Sequence, residues 1–159
     1  MATERPIDLV LVAPQIAGNT GNIVRMCANT GARLHLVDPL GFSLEDKLLR
    51  RAGLDYHDLA TMERHADWAS VTARFAGRRM VAFSSRGTRR YTDAALGEGP
   101  VLVFGREEDG LSTDVLGSFA PDDVLRLPMR PNNRSLNLAN ACAVVVYETW
   151  RQMGFPGAV

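Results

Sequence analysis

The sequence has few cysteines and no cluster of metal-binding side chains along the chain. Its two cysteines, Cys27 and Cys142, each lie in a segment with helical apolar periodicity, and no Cys-x-x-Cys pair or group of histidines accompanies them. A disulfide framework and a structural zinc site are therefore not expected. We predict a protein that needs no metal.

Long apolar runs are also missing. No stretch reaches the ~20 apolar residues that a membrane-spanning helix requires. The N-terminal residues M-A-T-E-R-P enter a strand directly, without the apolar segment of a signal peptide. We therefore expect a cytoplasmic protein with no membrane partner.

The chain has no excess of charge and almost no lysine. Its 18 basic and 18 acidic residues cancel, so any attraction for nucleic acid must come from local patches. All the basic residues except Lys47 are arginines, whose planar guanidinium can bind phosphate with two hydrogen bonds. This bias is compatible with phosphate binding but does not establish it.

The length and apolar content predict one domain that spans residues 1–159. A chain of 159 residues with 46% hydrophobic residues can bury one sizeable core but not two. Strands are predicted at 7–13, 34–37, 80–83, 101–104 and 124–127, and helices at 19–28, 45–52, 67–75 and 135–153. This alternation predicts an α/β fold with a mainly parallel sheet flanked by helices, and ligand-binding loops after the strands.

The first segment that suggests chemistry is N-T-G-N-I-V-R at residues 19–25. It follows a strand and opens a helix, with Asn19 or Thr20 as the expected cap, so its amide groups could face an anion. Arg25 could equally be a solvated helix residue.

The second segment is V-L-V-F-G-R-E-E-D-G-L at residues 101–111. An apolar strand delivers Gly105 and Glu107 to its carboxyl end, which is the usual ligand edge of a parallel sheet. Taken alone, this segment reads more simply as a charged turn.

The third segment is L-P-M-R-P-N-N-R-S-L-N-L-A-N-A at residues 127–141. Its first half combines prolines, asparagines and arginines, a composition that suits an exposed functional loop. Its second half begins the last helix, for which Ser135 is the expected cap.

In this order, the three segments resemble the three motifs of the SpoU–TrmD (SPOUT) superfamily of RNA methyltransferases, and the resemblance runs nearly from end to end. The compact length, R-R-A-G-L-D-Y-H at residues 50–57 and the ending V-V-V-Y-E-T-W-R-Q-M-G-F-P-G-A-V are similar to TrmL-type members. Those members methylate the ribose 2′-hydroxyl of the tRNA wobble nucleotide, cytidine or uridine. The resemblance implies S-adenosylmethionine as methyl donor, a deep trefoil knot in the C-terminal half and a homodimer whose interface completes the site.

The resemblance also implies two groups of site residues. Those expected to hold the donor are Phe83, Gly105, Leu127, Met129, Ser135 and Leu136. Asn19, Arg25, Glu107, Ser135 and Asn137 match the polar positions around the reacting ribose. Because a guanidinium hardly deprotonates in proteins, we assign Arg25 to stabilising the developing alkoxide or to relaying its proton to a substrate phosphate, with Glu107 and Asn137 orienting the network.

RNA binding is expected from arginines near this edge of the sheet, although such residues are often only solvated. The candidates are Arg86, Arg89, Arg90, Arg130 and Arg134. Two departures from the family pattern leave substrate preference open: Arg106 replaces a small residue or proline, and P-N-N-R at residues 131–134 replaces a loop that commonly carries an acid. Tyr147 is a candidate for contact across a dimer or, equally, a core residue.

Three other functions remain open from the sequence. A strand, a glycine-containing loop, a helix and a second strand ending in Asp38 are similar to half of a dinucleotide-binding unit, although the loop lacks G-x-G-x-x-G. A non-catalytic RNA-binding protein could have the same fold. The same chemistry could also act on another tRNA or ribosomal RNA nucleotide.

Overall fold

The computed structural model describes residues 5–51 and 62–159. It contains one seven-stranded sheet in the order β3-β2-β1-β6-β4-β7-β5, and every pair of neighbouring strands is parallel. The strands are Asp8–Val12 (β1), Arg33–Val37 (β2), Glu63–His65 (β3), Met80–Phe83 (β4), Arg89–Arg90 (β5), Val101–Phe104 (β6) and Val124–Arg126 (β7). The predicted α/β class with a parallel sheet is confirmed.

Helices cover both faces of the sheet. They are Ala17–Thr30 (α1), Lys47–Arg51 (α2), Trp68–Arg74 (α3), Thr113–Leu116 (α4) and Leu138–Gln152 (α5), and two short 3₁₀ turns lie at Tyr91–Asp93 and Pro121–Asp123. Within the two described ranges, no helix is both long enough and apolar enough to cross a membrane.

The central strands β1, β4 and β6 bury residues on both faces, which explains the continuous apolar runs in the sequence. In β1, Leu9 and Leu11 belong to one core cluster, together with the buried residues of α1 and α5. Val10 points to the opposite face and packs in a second cluster with Val71 and Phe75. A parallel sheet covered in this way produces unbroken runs of Val, Ile and Leu rather than alternation.

The strand predictions are confirmed with small shifts, and two strands were missed. Strands 80–83 and 101–104 have the predicted bounds, whereas 7–13 is shortened to Asp8–Val12. The missed strands, Glu63–His65 and Arg89–Arg90, have three and two residues and lie at the two edges of the sheet. Segments this short show no readable periodicity. Of the motif at 50–57, residues 52–57 lie outside the described residues.

Both predicted helix caps are wrong. The first helix begins at Ala17, so Asn19 and Thr20 lie inside it and are buried. The last helix begins at Leu138 and is capped by Asn137, so Ser135 lies before the helix. The cap lies two residues later because the side-chain oxygen of Asn137 accepts hydrogen bonds from the backbone N–H groups that begin the helix.

A buried carboxylate joins the amino ends of the central strands. Asp8 is fully buried and accepts hydrogen bonds from Arg33 at 2.9 Å and from Arg78, and it lies 2.8 Å from Nε2 of His35. Burial alone would raise the pKa of Asp8, but the hydrogen bonds from His35, Arg33 and Arg78 outweigh it and hold the pKa below its usual range. We call these four residues the Asp8 cluster. It stabilises the sheet at the end opposite to the carboxyl ends of the strands.

We predict that Asp8→Asn lowers the free energy of unfolding at pH 7 by about 3 kcal/mol, because it leaves two guanidinium groups without their buried charge partner. Since the folded-state pKa of Asp8 is depressed, its contribution is complete above the unfolded pKa of about 3.9 and is lost as the pH falls further. In urea unfolding, the difference in the free energy of unfolding between wild type and variant should therefore be smaller at pH 3 than at pH 7. An equal difference at both values would contradict this account, and Glu98→Gln at an exposed loop position is the control.

Candidate functional site

The carboxyl ends of β4, β6 and β7 surround a cavity of about 250 Å³. All six residues that the sequence assigned to the donor line it: Phe83, Gly105, Leu127, Met129, Ser135 and Leu136. Glu107 and Arg86 line it as well. The structure thus brings together the second and third sequence motifs, which are separate in the chain, with the loop that follows β4.

Two stacked aromatic rings form one wall of the cavity. Phe83 ends β4 and Phe104 ends β6, and their ring centroids lie 4.7 Å apart with planes only 9° from parallel. The sequence assigned Phe83 to the site but not Phe104. Its position as the last residue of the strand before Gly105 is the signal that could have identified it.

A tight turn at residues 105–110 also lines the cavity. Arg106 and Gly110 exchange backbone hydrogen bonds of 3.3 and 3.0 Å, which folds residues 106–110 back on themselves. A Cβ atom on Gly105 would lie 2.2 Å from the backbone of Gly110, so no side chain fits at this position. Gly110 has a φ of +72°, in the left-handed region that favours glycine.

Arg106, which departs from the family pattern, stabilises this turn. Its guanidinium donates to both carboxylate oxygens of Asp109, at 2.7 and 2.9 Å. The hydrogen bond from Arg106 lowers the pKa of Asp109. The ion pair between Arg106 and Asp109, three positions apart, thus closes the loop.

Glu107 connects the second motif to the start of α1, the helix that carries the first motif. Its two carboxylate oxygens accept hydrogen bonds from the backbone N–H of Gln15 at 2.9 and 3.1 Å, and one of them also accepts from the N–H of Ile16. Ile16 is the N-cap of α1, and neither it nor the first turn supplies a capping or acidic side chain of its own. Glu107 therefore places a negative charge at the positive end of α1, although it lies 91 positions after the N-cap residue Ile16 in the sequence.

Asn137 connects the third motif to the first. While its oxygen caps α5, its side-chain nitrogen donates to the side-chain oxygen of Asn19 at 2.9 Å. Asn19 is buried inside α1, and Asn137 is exposed. Asn137 thus both starts α5 and joins that helix to α1.

Arg25 is exposed on α1 and is not among the residues that line the cavity. It follows Asn19 by six positions, or about 1.7 turns, so the two side chains point about 120° apart. Within one chain, the helix therefore carries Asn19 toward Asn137 and Arg25 in a different direction.

The five predicted RNA-binding arginines differ in their surroundings. Arg86 lies at the cavity, and Arg90, Arg130 and Arg134 are exposed. Arg89 instead donates 2.9 Å hydrogen bonds to the backbone carbonyls of residues 122 and 93. Two of its donors thus hold the loops around β5.

Among the described residues, His35, Glu63 and His65 form a group whose ligand atoms lie within 4.8 Å of one another. With Nε2 of His35 against Asp8, its Nδ1 can accept a hydrogen bond from Nε2 of His65, 3.1 Å away. Arg74 donates to Glu63 at 3.1 Å, and the arginines of the Asp8 cluster add positive charge that opposes a cation. Hydrogen bonds among these side chains explain why they lie together. That the protein needs no metal remains a prediction.

Comparison with known proteins places the chain among RNA methyltransferases. The SpoU rRNA Methylase family matches residues 6–147. A tRNA (cytidine(34)-2′-O)-methyltransferase of Methylovorus glucosotrophus is 57% identical over 96% of this chain and 99% of the relative, and one of Escherichia coli is 46% identical over 96% and 98%. A solved structure described as giving insights into the 2-OH methylation of C/U34 on tRNA is 42% identical and covers 93% of this chain and 96% of its own, with a TM-score of 0.85.

We predict that Gly105→Ala lowers the free energy of unfolding by roughly 1–3 kcal/mol, because the added methyl group overlaps the backbone of Gly110. Gly18→Ala is the matched control, since a Cβ there meets nothing within 4 Å and alanine favours the helix. Chemical denaturation of the two variants measures the difference. Equal stability of Gly105→Ala and wild type would show that the turn is not packed as described.

Proposed function

The chain belongs to the SpoU rRNA methylase family, and we propose that it transfers the methyl group of S-adenosylmethionine to the ribose 2′-hydroxyl of the wobble nucleotide, cytidine or uridine, of tRNA. The observation that carries the proposal is the convergence of separate sequence motifs on the cavity beside α1. Relatives at 46–57% identity over nearly the full length bear the name of this activity. Because the chain belongs to a methylase family, this function is favoured over that of a dinucleotide-dependent oxidoreductase.

The shape of the cavity supports donor binding. The stacked rings of Phe83 and Phe104 offer an apolar wall, and Gly105, which also lines the cavity, lets the turn at residues 106–110 pack closely beside it. Leu127, Met129, Ser135 and Leu136 would hold the donor from the other side. When bound, the donor supplies a methyl group on a sulfonium, so the leaving group departs neutral and the protein need not protonate it.

The protein must therefore activate the acceptor rather than the leaving group. A ribose hydroxyl is a weak nucleophile, and fixing it in line with the methyl group can contribute ~7–11 kcal/mol. We assign Asn19 and Asn137 to orienting the ribose and Arg25 to stabilising the developing alkoxide. As the O–CH3 bond forms and the S–CH3 bond breaks, the hydroxyl proton passes to a phosphate oxygen of the substrate RNA. Glu107 acts as a positioning residue, because its carboxylate already accepts hydrogen bonds from the backbone at the start of α1.

A second copy of the chain would complete this site. Within one chain, Arg25 is exposed and does not line the cavity, and Val144 and Tyr147 leave apolar surface exposed on α5. We propose a homodimer that covers this surface and presents Arg25 to the partner's cavity. We also propose that the chain forms the trefoil knot of the family and that the protein is cytoplasmic.

The substrate RNA would lie across the arginines at this edge. Arg86 at the cavity and the exposed Arg90, Arg130 and Arg134 would bind phosphate, whereas Arg89 holds the loops through backbone carbonyls. Other nucleotides of tRNA or ribosomal RNA remain the alternative substrates.

The decisive experiment is methyl transfer from labelled S-adenosylmethionine to bulk tRNA, with the modified nucleotide mapped by mass spectrometry. We expect a single 2′-O-methylated nucleotide at the wobble position. Label on tRNA at a different nucleotide would support the alternative substrates, and no transfer to tRNA would contradict the proposal.

We predict that Arg25→Lys lowers the rate constant of methyl transfer by roughly 100-fold, since an ammonium does not reproduce the guanidinium geometry. Donor affinity, measured by calorimetry without RNA, should stay nearly unchanged because Arg25 is assigned to the acceptor hydroxyl and not to the donor. Nearly full turnover by the variant would rule out the assigned role.

We predict that tRNA affinity falls with salt, and that replacing Arg86 or Arg90 with Ala reduces the slope of log K against log salt by roughly 0.7–0.9 for each phosphate that the variant no longer binds. Arg74→Ala is the control, because Arg74 pairs with Glu63. Filter binding at several salt concentrations measures the slopes. Unchanged slopes in the Arg86 and Arg90 variants would place the RNA elsewhere.

A further inference from the structure

The loop between β1 and α1 contains a residue that no motif identified. Gln15 is half-buried, and its side-chain oxygen accepts a hydrogen bond from the backbone N–H of Glu108 at 3.1 Å. In the opposite direction, the carboxylate of Glu107 accepts from the backbone N–H of Gln15. Each loop therefore uses one side chain to bind the backbone of the other, an arrangement that we call the reciprocal clasp.

The loop that carries Gln15 is fixed from the other side as well. The backbone N–H of Ala13 donates to the carbonyl of Val37 at 2.9 Å, and that of Gly41 donates to the carbonyl of Pro14 at 2.9 Å. A Cβ on Gly41 would lie 2.7 Å from the Cα of Gln15, so the two backbones are in close contact. Because Gln15 is held on a fixed backbone, its side chain can act as a support for residues 106–110.

The two loops joined by the clasp serve different parts of the proposed reaction. Glu107 and Glu108 lie in the turn that lines the donor cavity, and α1, which starts beside Gln15, carries Asn19 and Arg25. Glu107 can restrain the start of α1 only as firmly as its own loop is held. The backbone N–H of Glu108, the next residue, is where Gln15 supports that loop.

We propose that Gln15 is a positioning residue for methyl transfer, whose side-chain oxygen holds residues 106–110 in register with the start of α1. This inference rests on the proposed function. Gln15 touches neither donor nor acceptor in this account. It acts through Glu107 and Glu108 by limiting the motion of the donor cavity relative to the acceptor-binding helix.

The test compares two substitutions of similar size. Gln15→Met keeps the length of the side chain but loses the acceptor oxygen, and Gln15→Glu keeps the oxygen. We expect Gln15→Met to lower kcat about 10-fold, to raise the Kd of S-adenosylmethionine a few-fold and to leave the KM for tRNA unchanged. Gln15→Glu should recover most of the rate. The melting temperatures of both variants should stay close to that of wild type, because the rest of the packing around Gln15 is preserved.

Hydrogen–deuterium exchange separates the clasp from the proposed reaction. Without any substrate, residues 105–110 should exchange faster in Gln15→Met than in wild type and at the wild-type rate in Gln15→Glu. If wild type shows no methyl transfer, the proposed function fails while exchange still tests the clasp. Wild-type turnover by Gln15→Met, or equal loss of kcat in both variants, would overturn the positioning role.

Discussion

The carboxylate of Glu107 at the start of α1 is the contact on which the geometry of the site depends. The strands β1 and β6 are parallel neighbours, so the loops that follow them leave the sheet at the same edge. Glu107 joins these loops by accepting hydrogen bonds from the N–H groups of Gln15 and Ile16. The start of α1 is therefore fixed relative to the donor cavity by one charge-assisted interaction, which is stronger than a neutral hydrogen bond.

The two ends of the sheet have different physical roles. At the amino end, the Asp8 cluster pairs a fully buried charge with arginines and a histidine. At the carboxyl end, β4, β6 and β7 finish around a cavity, and the loops there rely on glycines and on hydrogen bonds between distant segments. A parallel sheet covered on both faces is a rigid support, so its loops can hold the site with little motion. The connection of Asn19 to Asn137 adds the third motif to this support.

The strands and most cavity residues could be predicted from the sequence, whereas the contacts between motifs could not. Strands 80–83 and 101–104 are short apolar runs between polar loops, which identifies them directly. The cavity residues followed from the resemblance to a family, not from periodicity. The cap at Asn137 was missed because Ser135 is an equally good capping residue type, and only the fold decides between them. Gln15 was missed because its partners lie more than 90 positions away.

We infer that motifs far apart in the sequence build one pocket for an adenosyl sulfur compound. A crystal structure of the protein grown with S-adenosylhomocysteine would locate that pocket. We expect ligand density beside Phe83 and Phe104, enclosed by the turn after Gly105 and by the loop from Leu127 to Leu136. Ligand density elsewhere on the molecule, with this cavity collapsed or filled by side chains, would contradict it.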